Sequence, residues 1–172
     1  LNDKRLVTTV MSNLGFEKKW ISKGGVFDRT HVGDQNVHAK MVSQNANLGG
    51  EQSGHILSSI NGLCGDGLLT ALQVSSITKS LDLSLKEWLD LSFKPYPQKL
   101  INVPLNKKLN NKSWTSSEII KELLKKAEVA LGEHGRVLIR ESGTEPLLRV
   151  MVESRDQELA ESWSAHLAEI AN

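Results

Sequence analysis

The chain has 172 residues, 39% of them hydrophobic and 24% charged, with a formal net charge of +1. That is the make-up of a soluble globular protein of one large or two small domains. So small a net charge gives no general pull toward nucleic acid or an anionic membrane, and no apolar run approaches the length of a membrane span. A single cysteine, Cys64, rules out an internal disulfide framework and fits a reducing cytoplasm; it reads as a half-buried small residue.

Leu6–Met11 reads as a buried strand, after which Ser12-Asn13 opens a helix running to about Ile21. Gly24-Gly25 breaks it, and Val26–Thr30 is a second short strand. Val32-Gly33-Asp34 is a turn whose Asp34 can cap a helix reaching about Ser43. Asn47–Gly50 leads into a polar loop, Glu51–His55, and His55–Ser58 resumes an extended run. Asp66 can cap a long helix, Gly67–Ser80, with Leu68, Leu69, Ala71, Leu72, Val74 and Ile77 as its apolar residues. Ser84 and Glu87 have capping-box spacing for a short helix bearing Leu85, Trp88 and Leu89. Strands alternating with helices point to an α/β layer structure.

Lys94-Pro-Tyr-Pro97 interrupts the pattern and marks a boundary between domains 1–95 and 96–172. Lys99–Val103 is a strand, and Asn106–Lys112 a polar loop or a poorly formed strand. Thr115 and Glu118 have capping-box spacing for a helix that Gly132 ends after Leu131. Two apolar runs follow, Val137–Ile139 and Leu147–Val152. A last helix, capped by Ser154 and Gln157, carries Leu159, Trp163, His166, Leu167 and Ile170 along one side. The second half therefore reads β-α-β-β-α, a small α+β domain with an antiparallel sheet.

Two loops carry the chemistry. Between the last two strands lies Arg140-Glu-Ser-Gly-Thr-Glu-Pro146, followed by Arg149. Arg140 and Arg149 offer planar forks that match phosphate oxygens in pairs, and Ser142 and Thr144 offer hydroxyl donors. Gly143 lets the backbone come close and turn an N–H inward, as in anion-binding nests. A plain hairpin turn needs Gly and Pro, but not two hydroxyls and two arginines around them. The second loop, Gly49-Gly-Glu-Gln-Ser-Gly-His55, pairs the tight backbone path of Gly49 and Gly50 with an acceptor at Glu51 and a hydroxyl at Ser53. Gln52 and His55 extend its polar reach, and such a set suits the hydroxyls of a sugar ring.

Both loops resemble motifs of the α-D-phosphohexomutases. Arg140–Arg149, R-E-S-G-T-E-P-L-L-R, is similar to the phosphate-binding loop of that family's last domain, and Gly49–His55 to the sugar-binding loop of its third. The Glu-Gln-Ser form of the latter is most like the members that act on glucosamine phosphates. The similarity runs from Thr9-Val-Met-Ser-Asn-Leu-Gly15 to the C-terminal helix. The resemblance implies a three-layer α/β domain like the family's domain 3, then a TBP-like C-terminal domain. It also implies a mutase that moves phosphate between two positions of a hexose through a phosphoserine and a bisphosphate intermediate. The family's other substrates, mannose and glucose phosphates, stay open, as does a non-catalytic phosphosugar-binding module.

By the same resemblance Gly50, Glu51 and Ser53 contact the sugar, Arg140, Ser142, Gly143, Thr144 and Arg149 hold the phosphate that is not reacting, and His55 lies near the reacting end. His55 has two roles open to it, proton exchange or orientation of Glu51 or the substrate. The family's phosphoserine motif and its Asp-x-Asp-x-Asp-Arg loop, which holds Mg2+, do not occur in this chain. With the non-Met start at Leu1, this implies a fragment lacking the N-terminal domains, with Mg2+ bound on one of them, and inactive by itself. His31 reads as a surface-loop residue rather than a substrate contact, and His38, His134 and His166 lack metal-ligand spacing. The four tryptophans are scattered and form no platform for nucleic acid bases.

Overall fold

Arg5–Thr9 forms the first strand, β1, and Leu6 to Thr9 are all buried. A strand hidden on both faces sits inside a sheet, and β1 does, pairing in parallel with β2 (Val26–Thr30) on one side and β3 (Leu48–Gly50) on the other. A fourth strand, β4 (Ile56–Ser58), folds back antiparallel on β3 and gives the order β2-β1-β3-β4. The computed structural model describes residues 4–59, 62, 64–105, 114 and 117–171. They fall into two compact units, Leu1–Pro95 and Tyr96–Asn172.

Helices lie on both faces of this mixed sheet. α1 (Leu14–Ser22) starts where the Asn13 side chain accepts from the Gly15 N–H. α2 (Asp34–Gln44) buries Val37 and Met41 against Val7 and Leu57. Asp34 is the first helical residue rather than the cap; the cap position is Gly33, which has no side chain to offer. β1 is shorter than its apolar run, because the chain turns at Thr9, where the Ser12 N–H bonds to the Thr9 carbonyl.

α3 (Gly67–Leu81) has its Asp66 cap on the Leu69 N–H, and α4 (Leu85–Ser92) has the complete Ser84–Glu87 capping box. The apolar residues of α3 do not form a buried stripe as its sequence predicts. Leu68, Leu72 and Ile77 are 74%, 62% and 42% exposed, and Leu85, Leu89 and Leu91 of α4 are exposed as well. Cys64, expected half-buried, is exposed too.

The second unit is a three-stranded antiparallel sheet in the order β5 (Gln98–Pro104), β7 (Leu147–Ser154), β6 (Gly135–Glu141). Alternation assigns its faces. Leu148, Val150 and Val152 of β7 join Val103, Val137 and Ile139 under α5 (Glu118–Leu131) and α6 (Gln157–Ala171). From the helices come Leu123, Ala127, Leu131, Ala160 and Leu167. The alternate residues, Arg149 and Arg140 among them, point from the other face.

In this second unit, two helix starts differ from the sequence reading. The cap of α5 is Ser117, whose hydroxyl accepts from the Ile120 N–H, and Thr115 lies outside the described residues, as does the loop Asn106–Lys112. At α6 the capping oxygen belongs to Asp156, whose Oδ1 accepts from the N–H groups of Glu158 and Leu159 at 2.9 and 3.3 Å. Ser154 instead accepts from the Asp156 N–H. Both ends hold several adjacent capping-type residues, and only backbone direction selects one.

Candidate functional site

The phosphate-type loop closes the β6–β7 hairpin. Its base is fixed by backbone bonds: the Ser142 N–H donates to Leu147 O and the Leu147 N–H to Glu145 O, both at 2.8 Å. Register then brings the two arginines together, since Arg140 and Arg149 are directly opposed across the ladder. Two like charges so placed repel by about 0.2–1 kcal/mol unless an anion lies between them. Burial, and then the charge of Arg149, lowers the pKa of Arg140 below the ordinary guanidinium value.

Three polar atoms here are buried and lack a hydrogen-bond partner among the described residues: Arg140 Nε, Arg149 Nε and Ser142 Oγ. A buried unpaired donor costs about 1–3 kcal/mol, so three around one hairpin end require an explanation. The weak contacts present do not supply it. Arg140 Nη1 reaches Glu141 O at 3.4 Å, and Arg149 Nη2 reaches Glu145 Oε2 at 3.4 Å. Gly143 and Thr144 lie exposed at the tip. The left-handed backbone freedom of Gly143 is not used, but a Cβ there would meet no atom within 4 Å, so the space above it is open. The sequence reading passed over Trp114, whose indole N–H donates to Glu141 Oε1 at 3.1 Å and so holds the residue next to Arg140.

The second loop closes the β3–β4 hairpin. The Glu51 N–H donates to His55 O and the Gly54 N–H to Glu51 O, at 2.9 and 3.0 Å. Gly50 is required by space, because a Cβ on it would stand 2.9 Å from His55 O. This tight turn brings three predicted side chains into one group. Glu51 Oε2 lies 3.3 Å from His55 Nδ1 and 3.4 Å from Ser53 Oγ, and those two atoms are 3.4 Å apart. The other carboxylate oxygen, Oε1, accepts from the Gly33 N–H at 2.8 Å. Ser53 and His55 are exposed, while the Glu51 side chain is only 11% exposed.

Beside this loop a cavity of about 400 Å³ opens between Glu51 and Gln52, the apolar residues Leu48 and Ile56, the α1 cap Asn13 and Phe16 of α1. Arg29 fixes the turn leading into that wall. Its Nη1 donates to Thr9 O at 3.1 Å and Ser12 O at 2.7 Å, while its Nε and Nη2 hold Glu17. No motif signals Arg29 or Gly33, because each acts on residues far away in sequence. His31 is exposed. Among the described residues no group of three His, Cys, Asp or Glu side chains could hold a metal ion.

Residues 1–96 match the model of phosphoglucomutase/phosphomannomutase alpha/beta/alpha domain III, and residues 100–170 match that of the phosphoglucomutase/phosphomannomutase C-terminal domain. The chain belongs to the phosphoglucomutase/phosphomannomutase family. Within the family it is similar to the phosphoglucosamine mutases of Parasynechococcus marenigrum strain WH8102, at 56% identity over 98% of the chain, and of Synechococcus sp. strain CC9311, at 57% over 99%. It spans 36% and 38% of the length of these two relatives. Solved family structures share the fold at low identity. N-acetylglucosamine-phosphate mutase in its substrate complex aligns with a TM-score of 0.78 at 20% identity, over 98% of this chain and 38% of that one. The Aspergillus fumigatus N-acetylphosphoglucosamine mutase, solved with GlcNAc-6P and magnesium, aligns at 0.76 and 19%, over 97% of this chain and 38% of that one.

Proposed function

We propose that this chain is the substrate-holding part of a phosphoglucosamine mutase, which interconverts glucosamine 6-phosphate and glucosamine 1-phosphate. The observation that carries the reading is the set of unpartnered buried donors at Arg140, Ser142 and Arg149. A phosphate monoester is a dianion with three acceptor oxygens, and it would pair those donors and neutralise the two opposed guanidinium groups. The identity above 50% to phosphoglucosamine mutases supports the amino-sugar substrate over mannose or glucose phosphates.

Each loop has one task in this scheme. The Arg140–Arg149 loop, with Ser142, Gly143 and Thr144, grips the phosphate that does not react, and its binding energy positions the distant reacting end. Gly50, Glu51 and Ser53 hold the ring hydroxyls, and His55 stands beside them with a ring nitrogen suited to exchange a proton or to orient Glu51. The phosphoryl donor, a phosphoserine, and the magnesium site belong to parts of the protein outside this chain. Magnesium would neutralise charge on the transferring group, and no residue described here is assigned to it. The exposed leucines of α3 and α4 support contact with those further domains. Such a soluble enzyme, supplying amino-sugar phosphates for cell-wall precursors, works in the cytoplasm.

The test is a coupled assay on the full-length protein with glucosamine 6-phosphate, mannose 6-phosphate and glucose 6-phosphate in parallel. Preference for glucosamine 6-phosphate is expected. Preference for either other sugar reassigns the substrate, and turnover of none of them leaves a phosphosugar-binding module. In the same assay Glu51→Ala should lower kcat/KM by about 2–4 kcal/mol while the protein stays folded, since a hydrogen bond to a charged group contributes about 1.5–3 kcal/mol.

A further inference from the structure

Glu51 does not stand free at the end of its hairpin. Its Oε1 accepts from the Gly33 N–H at 2.8 Å, across 18 residues of sequence. Gly33 is the cap position of α2, and its carbonyl already accepts from the Asn36 and Val37 N–H groups. In a capping box an acidic side chain within the helix returns to the N–H of the cap residue. Here Asn36 occupies that helical position, and its Nδ2 donates to Val32 O at 2.8 Å instead. The carboxylate on the Gly33 N–H comes from another element, the β3–β4 loop. It lies at the positive end of the helix, where the first-turn N–H dipoles help to orient it.

We infer that Gly33 is a positioning residue for the sugar loop, aiming Glu51 so that Oε2 is the oxygen presented to a substrate hydroxyl. The inference rests on the reading of Glu51 as a sugar contact. With Oε1 held, Oε2 points to Ser53 Oγ and His55 Nδ1, at 3.4 and 3.3 Å. The three polar side chains therefore keep one arrangement only while the carboxylate is anchored at its other oxygen. Without the Gly33 N–H, Glu51 could rotate about its terminal torsion, which is broad and soft. The backbone at Gly33 has φ of 116° and ψ of 129°, a region L side chains rarely adopt. Space does not exclude a side chain there, since the nearest atom to an added Cβ, Asn36 Nδ2, is 3.4 Å away. An alanine would relax by rotating the backbone, and the N–H would leave the carboxylate.

The experiment is a double-mutant cycle in the full-length enzyme, with Gly33→Ala, Glu51→Ala and the pair. Gly33→Ala alone should lower kcat/KM by roughly tenfold, the scale of one lost charged hydrogen bond. In the Glu51→Ala background it should lower it no further. Losses that multiply would overturn the inference, because they show Gly33 acting independently of Glu51. If Glu51→Ala turns over like the parent, the sugar-loop reading itself fails, and that outcome is distinct from the first. A second measurement covers a Gly33→Ala protein that does not fold. The Gly33 amide proton of the 172-residue chain, followed by NMR, should move upfield in Glu51→Ala and much less in Glu51→Gln, which keeps an oxygen acceptor. An unmoved Gly33 amide in Glu51→Ala sinks the proposal by itself.

Discussion

Arg140 and Arg149 are opposed in the β6–β7 ladder with a buried, unpartnered Nε on each. Nothing in the fold of the hairpin requires such a pair, and hydrophobic neighbours would suit a sheet better. The arrangement costs stability, and under the proposed function an anion between the two forks would offset that cost. Arg140→Ala should therefore weaken sulfate or phosphate binding by about ten- to a hundredfold, read by NMR titration of the Ser142–Glu145 amides. Arg140→Lys should recover part of this, because an ammonium cannot pair two oxygens in a plane. Arg140→Ala carries an opposite effect on the free protein. Removing one of two repelling cations should raise stability by about 0.2–1 kcal/mol in the absence of anion, and added sulfate should stabilise the parent but not the variant in thermal melts. Binding should also weaken as salt rises, since both forks reach solvent.

At the scale of elements, the capping residues show where local chemistry is ambiguous. Ser154, Asp156 and Gln157 all lie at the start of α6, but Asp156 holds the two first-turn N–H groups. Asp156→Ala should destabilise the second unit by about 1 kcal/mol, and Ser154→Ala by less, in chemical denaturation of the chain. Neither should change sulfate affinity, because α6 packs on the sheet face opposite the arginines. The hairpin loops are the converse case. The β3–β4 and β6–β7 turns each hold their proposed site residues in one short contiguous motif.

For the whole molecule, the two units have separate cores and separate loops. A protein of residues 96–172 alone should fold and reproduce the sulfate-induced amide shifts of the full chain. Shifts centred away from Ser142–Glu145, or a chain segment that does not fold, would remove the independence of the phosphate loop. The 172-residue chain should show no mutase turnover, because neither a phosphoserine motif nor an Asp-rich metal loop is present in it. Metal-dependent activity of the purified chain would overturn this.

Most of the architecture is legible in the sequence. The strand at Val26–Thr30, the Asn13, Asp66 and Ser84 helix starts, the end of α5 at Gly132 and the β-α-β-β-α order of the second half follow from local signals: periodicity, short polar side chains and Gly or Pro at fixed offsets. The two polar loops fall at hairpin ends, where side chains close in sequence also meet in space. Three things required the tertiary structure. The exposure of Leu68, Leu72 and Ile77 depends on what α3 packs against, and hydropathy does not report that. The opposition of Arg140 and Arg149 depends on strand register, where a slip of one residue would turn an arginine to the other face. The bond from Gly33 to Glu51 joins a helix start to a strand turn 18 residues away, and the pairing of β2 and β3 on either side of β1 brings the two loops to the same end of the sheet.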